Sequence, residues 1–159
     1  MEKKELTFAA AKEKALRLIE FRSHSEKELR DKLRRAGAEA DHIDEIVVFL
    51  KEYRFLDDES YAQKLAQDLK NLKKYGKRRI TQELRQKGIS QEFIDSAVAE
   101  LGEDDTEELF SLVEKRIRGD FEKKSIDRTV RYFIYRGYRA EDIFRCIESL
   151  KEKEETDGI

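Results

Sequence analysis

The chain repeats itself three times, and this constrains its fold more than any other feature. Gly37, Gly88 and Gly137 anchor the copies, 51 and then 49 residues apart. Six residues beyond each stands Ile43, Ile94 or Ile143, ten beyond stands Val47, Val98 or Ile147, and thirteen beyond stands Leu50, Leu101 or Leu150. Four residues before each stands Leu33, Leu84 or Phe133. At an average glycine usage of about 7 %, glycine recurs in both other copies by chance about once in 200 trials. The matching Ile and Leu positions remove accident as an explanation. A unit of about fifty residues buries little on its own, so neighbouring units must stack.

Each copy decodes into helices. The pairs Leu29/Leu33 and Ile80/Leu84 mark one face of a short helix before the glycine. The glycine sits where a helix C′ residue needs the left-handed conformation. The positions after it have helical spacing and give a second helix. A further helix precedes the pair in each copy: Phe8, Ala11, Ala15, Leu18 and Ile19; then Tyr61, Ala62, Leu65, Leu69 and Leu72; then Leu109, Leu112, Val113, Ile117 and Phe121. Start signals agree, with a capping box at Ser25-Glu26-Lys27-Glu28, a cap from Asp57 or Asp58, and caps from Thr106 and Ser125. The prediction is an all-α protein of nine helices: three tandem three-helix repeats stacked into an elongated, slightly curved array. The repeats span 1–56, 57–103 and 104–152, with an acidic tail at 153–159. A charged fraction of 44 % would suit disorder, but nine Phe and six Tyr at regular spacing, with no Pro, favour a packed helical fold.

Enzyme chemistry finds no support. His24 and His42 lie in or beside polar helical segments without a Cys or His at ligand spacing, and read as surface or capping residues. Cys146 shares its register with Ile46 and Ala97, which makes it a core residue rather than a nucleophile. Asp57-Asp58 reads as a helix start rather than a metal pair. The seven glycines are scattered, so no phosphate-cradling loop exists. No metal and no cofactor is expected. The longest apolar run, Ile46 to Leu50, is far short of a membrane span. Met1-Glu2-Lys3-Lys4-Glu5 is not followed by a secretory apolar stretch, and a single Cys calls for no oxidising compartment. The expected location is the cytoplasm.

Charge distribution says more than the net charge of −2. From Lys70 to Gly88 there are eight basic residues (Lys70, Lys73, Lys74, Lys77, Arg78, Arg79, Arg85 and Lys87) against Glu83 alone. From Lys115 to Arg139, nine basic residues, Arg131 and Arg136 among them, face three acids. Acids collect over 39–59, 100–108 and the tail. On the helix before each glycine, three positions point away from the core: Lys27, Asp31 and Arg34; Arg78, Gln82 and Arg85; Asp127, Arg131 and Ile134. Only the middle copy is one-signed, and Lys73, Lys74 and Lys77 back it. Two readings stand, a solvated basic face or a contact surface for an anionic partner. Tyr132, Tyr135 and Tyr138 likewise suit stacking on bases, a partner protein, or packing between repeats.

Four motif blocks carry a family resemblance: Arg22-x-x-Ser25-x-x-Glu28-Leu29 with Gly37; Leu56-Asp57-Asp58-x-x-Tyr61-Ala62; Gly76-x-x-Arg79-Ile80-x-x-Glu83-Leu84-x-x-x-Gly88; and Arg136-Gly137-Tyr138. With them the chain resembles the bacterial recombination regulator RecX family over about Ala11 to Leu150. Lys77 stands where members often carry Pro, and Tyr138 where Phe is usual. The resemblance implies a regulator that binds the RecA recombinase, lodges in the groove of the RecA–single-stranded-DNA filament and curbs its recombinase, ATPase and co-protease activities. Candidate contacts with RecA or DNA are Lys73, Lys74, Lys77, Arg78, Arg79, Arg85, Lys87, Arg131 and Arg136. The acidic stretches would face the filament or solvent. Weak DNA binding is compatible, and no membrane partner is implied. The alternatives are a stand-alone DNA-binding protein built from helix-turn-helix-like modules, or a helical scaffold for another protein.

Overall fold

The computed structural model describes residues 5–158; the charged start at 1–4 and the last residue of the acidic tail lie outside the described residues. Nine helices are present among them: α1 (Phe8–Phe21), α2 (Glu26–Arg35), α3 (Ala40–Glu52), α4 (Asp58–Asn71), α5 (Lys77–Gln86), α6 (Gln91–Glu100), α7 (Thr106–Ile117), α8 (Lys123–Tyr135) and α9 (Ala140–Asp157). The fold is an all-α array of three-helix repeats, as the periodicity predicts.

The anchor glycines do in space what their spacing implies. Gly37, Gly88 and Gly137 have φ of 98°, 76° and 100°. Each closes its helix with the same pair of bonds. The glycine N–H donates to the carbonyl of Arg34, Arg85 or Ile134, and the next N–H donates to that of Leu33, Leu84 or Phe133. The residue after the glycine (Ala38, Ile89 or Tyr138) is buried, so the turn is pinned by an apolar contact as well.

Start signals hold in part. Ser25 forms the full capping box. Asp57 rather than Asp58 caps α4, accepting from the Ser60 N–H at 3.1 Å. Thr106 is not a cap: Asp105 accepts from the N–H groups of Glu107 and Glu108, and Thr106 is already in the helix. Nor is Ser125, because α8 begins earlier, after Glu122, with no side-chain cap. Leu72 and Phe121 fall outside their helices; Leu72 is exposed and Phe121 packs against the third repeat's core. Most of the tail at 153–159 continues α9 as far as Asp157.

The chain divides into two compact units, and the division passes through the middle repeat. One unit runs through the first repeat to Ala66 and resumes over Glu83–Glu100. Its core joins α1, α2 and α3 through Ala11, Ala15, Leu29, Leu33, Ile46 and Leu50. The other takes Gln67–Gln82 and everything from Leu101. Its core joins α7, α8 and α9 through Leu109, Val113, Phe133, Ile143 and Ile147, with Cys146 buried among them as its register predicts. Among the described residues, no helix is long and apolar enough to cross a membrane.

Candidate functional site

In the first unit, the family motif residues converge on Glu28. The Ser25 hydroxyl accepts from the Glu28 N–H at 3.2 Å and donates to the Lys87 carbonyl, at the end of α5, at 2.7 Å. The Glu28 carboxylate accepts from the Ser25 N–H at 3.3 Å, from Arg22 at 2.9 Å and from the Tyr61 hydroxyl at 2.9 Å, and Lys87 stands 3.4 Å away. Burial pushes this carboxyl up, but the bonds from Arg22, Tyr61 and Ser25 and the charge of Lys87 outweigh it and hold the group at about 2. Burial and then the neighbouring carboxylate push the Tyr61 hydroxyl well above its usual range. Asp58 accepts from the Glu26 N–H at 2.9 Å, and Leu56 is buried in the first core. Arg22, Ser25, Leu56, Asp58 and Tyr61 therefore tie the start of α2 to α4 and the end of α5.

His24 beside this cluster is buried, at 2 % exposure, and is not the surface residue its polar context predicts. Its Nδ1 lies 2.9 Å from the Arg22 carbonyl and its Nε2 2.8 Å from the Lys32 ammonium. A neutral ring satisfies both, donating to the carbonyl and accepting from Lys32. Burial holds its pKa below the usual value, with the charges of Arg22 and Lys32 acting the same way. His42 is half-buried, edge-on to the Phe8 ring at 5.4 Å. Among the described residues, no group of three or more His, Cys, Asp or Glu is placed to hold a metal ion.

In the second unit, a matching set surrounds Gly76 and Gly137. The Gly76 N–H donates to the Arg136 carbonyl at 2.8 Å, and a Cβ on Gly76 would lie 2.5 Å from the Gly137 oxygen. A Cβ on Gly137 would collide with the Arg79 backbone. These glycines exist because two main chains touch. Around them, the Tyr138 hydroxyl donates to the Lys74 carbonyl at 2.8 Å, Arg136 donates to the Lys73 carbonyl, and Arg79 donates to the Tyr135 carbonyl at 3.2 Å.

The nine candidate cations fall into two sets. Lys74 pairs with Glu108 at 2.8 Å, Lys77 with Glu103 at 3.5 Å and Lys87 with Glu28. Arg79 lies over the rings of Tyr75 and Tyr135, and Arg136 over those of Tyr75 and Tyr132. These five are tied into their own units. Lys73, Arg78 and Arg131 are exposed with no side-chain partner among the described residues, and exposed Arg85 reaches only Gln91, at 3.4 Å. Arg78, Gln82 and Arg85 are all exposed on α5, as the register predicts.

Several residues of the acidic stretches also serve as counter-charges or caps. Asp104 accepts from the Lys77 N–H at 3.1 Å, Asp105 caps α7, Glu103 and Glu108 pair with lysines, and Asp44 pairs with Arg30 at 2.7 Å. Glu103 and Asp44 nevertheless stay largely exposed, so the acidic stretches still face outward, as the charge count predicts. Sequence reasoning also missed Tyr75, which lies under nearby Arg79 and distant Arg136, and Glu108, whose partner Lys74 lies far along the chain.

Matches to known proteins agree with this arrangement. The description "RecX, first three-helix domain" matches residues 11–50, and "RecX, second three-helix domain" matches residues 57–98. The chain belongs to the RecX family. Regulatory protein RecX of Clostridioides difficile (strain 630) is 34 % identical over 156 residues, which cover 94 % of this chain and 72 % of that one. Regulatory protein RecX of Vibrio campbellii is 35 % identical over 136 residues, 84 % of this chain and 87 % of that one. The crystal structure of RecX from Lactobacillus salivarius superposes with a TM-score of 0.77 at 22 % identity, over 90 % of this chain and 96 % of that one. RecX proteins are regulators by name, and the shared fold is the helical repeat.

Proposed function

We propose that this chain regulates the RecA recombinase in the cytoplasm by binding the RecA–single-stranded-DNA filament, and that its main effect is to inhibit recombination, ATP hydrolysis and co-protease activity. Membership of a family of regulators supports the class of function. The observation that carries the contact surface is α5, where Arg78 and Arg85 are exposed with no carboxylate partner while the cations around them are paired or stacked. An uncompensated basic helix face suits acidic protein surface or phosphate. Lys73 and Arg131 are open in the same way. The paired set, Lys74, Lys77, Arg79, Lys87 and Arg136, serves to hold the repeats and contributes less to the partner. Binding alone suffices for such regulation, because a protein seated on a filament obstructs protomer exchange without bond chemistry.

Free phosphate contacts suit equally the second reading, a stand-alone DNA-binding protein, and one variant separates the two. Addition of the wild-type chain to RecA filaments on single-stranded DNA is expected to lower ATP hydrolysis at substoichiometric ratios. Arg78→Glu/Arg85→Glu is expected to raise the concentration needed by about tenfold or more, since reversing a charge adds repulsion to the lost attraction. An acid at position 78 lies in the first turn of α5, where the helix dipole favours it, and one at position 85 lies in the last turn, where it is disfavoured, so the two effects offset and thermal melting checks the fold. An unchanged hydrolysis rate with equimolar wild-type protein sinks the proposal. Lost binding to bare DNA with intact inhibition makes DNA binding a side activity.

A further inference from the structure

The third repeat and the residues packed on it carry an arrangement that filament binding through α5 leaves unused. The Arg116 guanidinium lies 3.5 Å from the centre of the Tyr132 ring. Arg136 lies 5.3 Å from the same ring and 5.0 Å from Tyr75. Arg79 lies 4.9 Å from Tyr75 and 4.5 Å from Tyr135. Arginine and tyrosine thus alternate through six side chains, each guanidinium held over at least one ring. Packing alone calls for no such alternation at the exposed Arg116 end.

There the ladder borders a cavity of about 240 Å³. Lys74, Lys115, Arg116 and Arg136 line it together with the rings of Tyr132 and Phe133, and among the described residues no carboxylate does. Two of the cations are already committed, Lys74 to Glu108 and Arg136 to the Lys73 carbonyl. Lys115 and Arg116 are exposed and have neither a carboxylate nor a hydrogen-bond partner among the described residues. Like charges gathered at an aromatic-walled cavity repel one another when it is empty, and an anion relieves that repulsion. The ring walls add a second requirement, a flat apolar group beside the anion.

We propose that this cavity binds one nucleotide unit, taken from a single strand or free in solution. Lys115 and Arg116 hold the phosphate, and the base stacks on the guanidinium of Arg116 or against Tyr132. Guanidinium planes and aromatic rings are the two surfaces on which unpaired bases stack. A duplex is a poor fit, since its base faces are hidden. The site uses side chains other than Arg78 and Arg85, so it stands or falls apart from the RecA reading.

The test is fluorescence anisotropy of a labelled oligothymidylate, without RecA, using wild type, Lys115→Ala/Arg116→Ala and Arg145→Ala. Arg145 is an exposed α9 cation paired with Glu141 and Asp142, and it does not line the cavity. The double variant is expected to bind about tenfold more weakly, with Arg145→Ala near wild type. Its log–log salt slope is expected to fall by about 0.7, because one phosphate of a single strand is no longer neutralised. Competition by free thymidine monophosphate assigns the site to free nucleotides, and its failure assigns it to the strand; both support the proposal. No binding by wild type, or equal binding by wild type and the double variant, overturns it. Thermal melting of each variant reports whether the fold is intact, and Lys115→Glu alone serves if the double variant melts early. Undiminished inhibition of RecA filaments by the double variant leaves the α5 reading untouched.

Discussion

At position 77 the chain carries Lys where family members often carry Pro, and the backbone N–H that Pro lacks is used, donating to Asp104 at 3.1 Å. At position 138 it carries Tyr where Phe is usual, and the added hydroxyl donates to the Lys74 carbonyl at 2.8 Å. Both departures thus add a hydrogen bond in the second unit. Glu28 concentrates more bonds than either. Its carboxyl is held at about 2, below its ordinary value of 4.5, so its contribution is full above about pH 4.5 and is lost as pH falls toward 2. Glu28→Gln is expected to cost about 2 kcal/mol at neutral pH, because charge-assisted bonds weaken and Tyr61 and Arg22 lose a full charge. In urea titrations the gap between variant and wild type should close over that acidic window. A gap that persists at low pH means the geometry of the carboxyl, not its charge, supplies the stability. The capping box made Glu28 legible as a helix-start residue; its ties to Tyr61 and Lys87 were not, since those partners lie 33 and 59 residues away.

Among the elements, the clearest is the helix ended by its glycine, three times over. The signal was legible because it is local: a C′ glycine, an apolar residue after it and an apolar residue four before it all act within one turn. Gly88 and Gly137 separate two reasons for the same residue. Gly88 has a left-handed φ, and a Cβ there would lie 2.5 Å from the Lys27 Cδ and 2.6 Å from its Cβ, so side chain but no main chain stands in its way. Gly137 shares the conformation but also touches the Arg79 backbone. Gly88→Ala is therefore expected to cost about 2–3 kcal/mol, the penalty of a Cβ in the left-handed region plus the displacement of the Lys27 side chain. Gly137→Ala is expected to cost about 3–4 kcal/mol, because main chain must also move. Chemical denaturation of both variants measures this, and equal losses dismiss the backbone contact. Helix α5 shows a conflict at the same scale. Lys77, Arg78 and Arg79 occupy its first turn, where the dipole disfavours cations. Asp104 at the Lys77 N–H offsets part of this, and the rest fits a helix whose charge serves a partner rather than its own stability.

For the molecule as a whole, the middle repeat is shared out. Its early α4 residues and the end of α5 join the first unit, while the end of α4 and the start of α5 join the second. Sequence periodicity shows three equal copies and cannot show this division, which depends on side-chain ties at each end of α4 and α5. The Glu28 cluster and the Tyr138–Lys74 bond have no partner in common. Tyr138→Phe is expected to cost about 1 kcal/mol. Combined with Glu28→Gln, the two losses should add to within about 0.5 kcal/mol. A larger coupling in equilibrium unfolding shows that the two clusters sense each other.

Helix number, repeat length, the glycine turns, the core register and the exposure of Arg78 and Arg85 were readable without coordinates. Each depends on residues within a few positions of one another, where helical geometry converts spacing directly into direction. Which cations remain open could not be read that way. Lys74, Arg79 and Arg136 look the same in one dimension as Lys73, Arg78 and Arg131. Only folding brings a carboxylate or a tyrosine ring from a distant part of the chain against the first three and leaves the others in water, because a charge's fate depends on what lies beside it in space as well as along the chain.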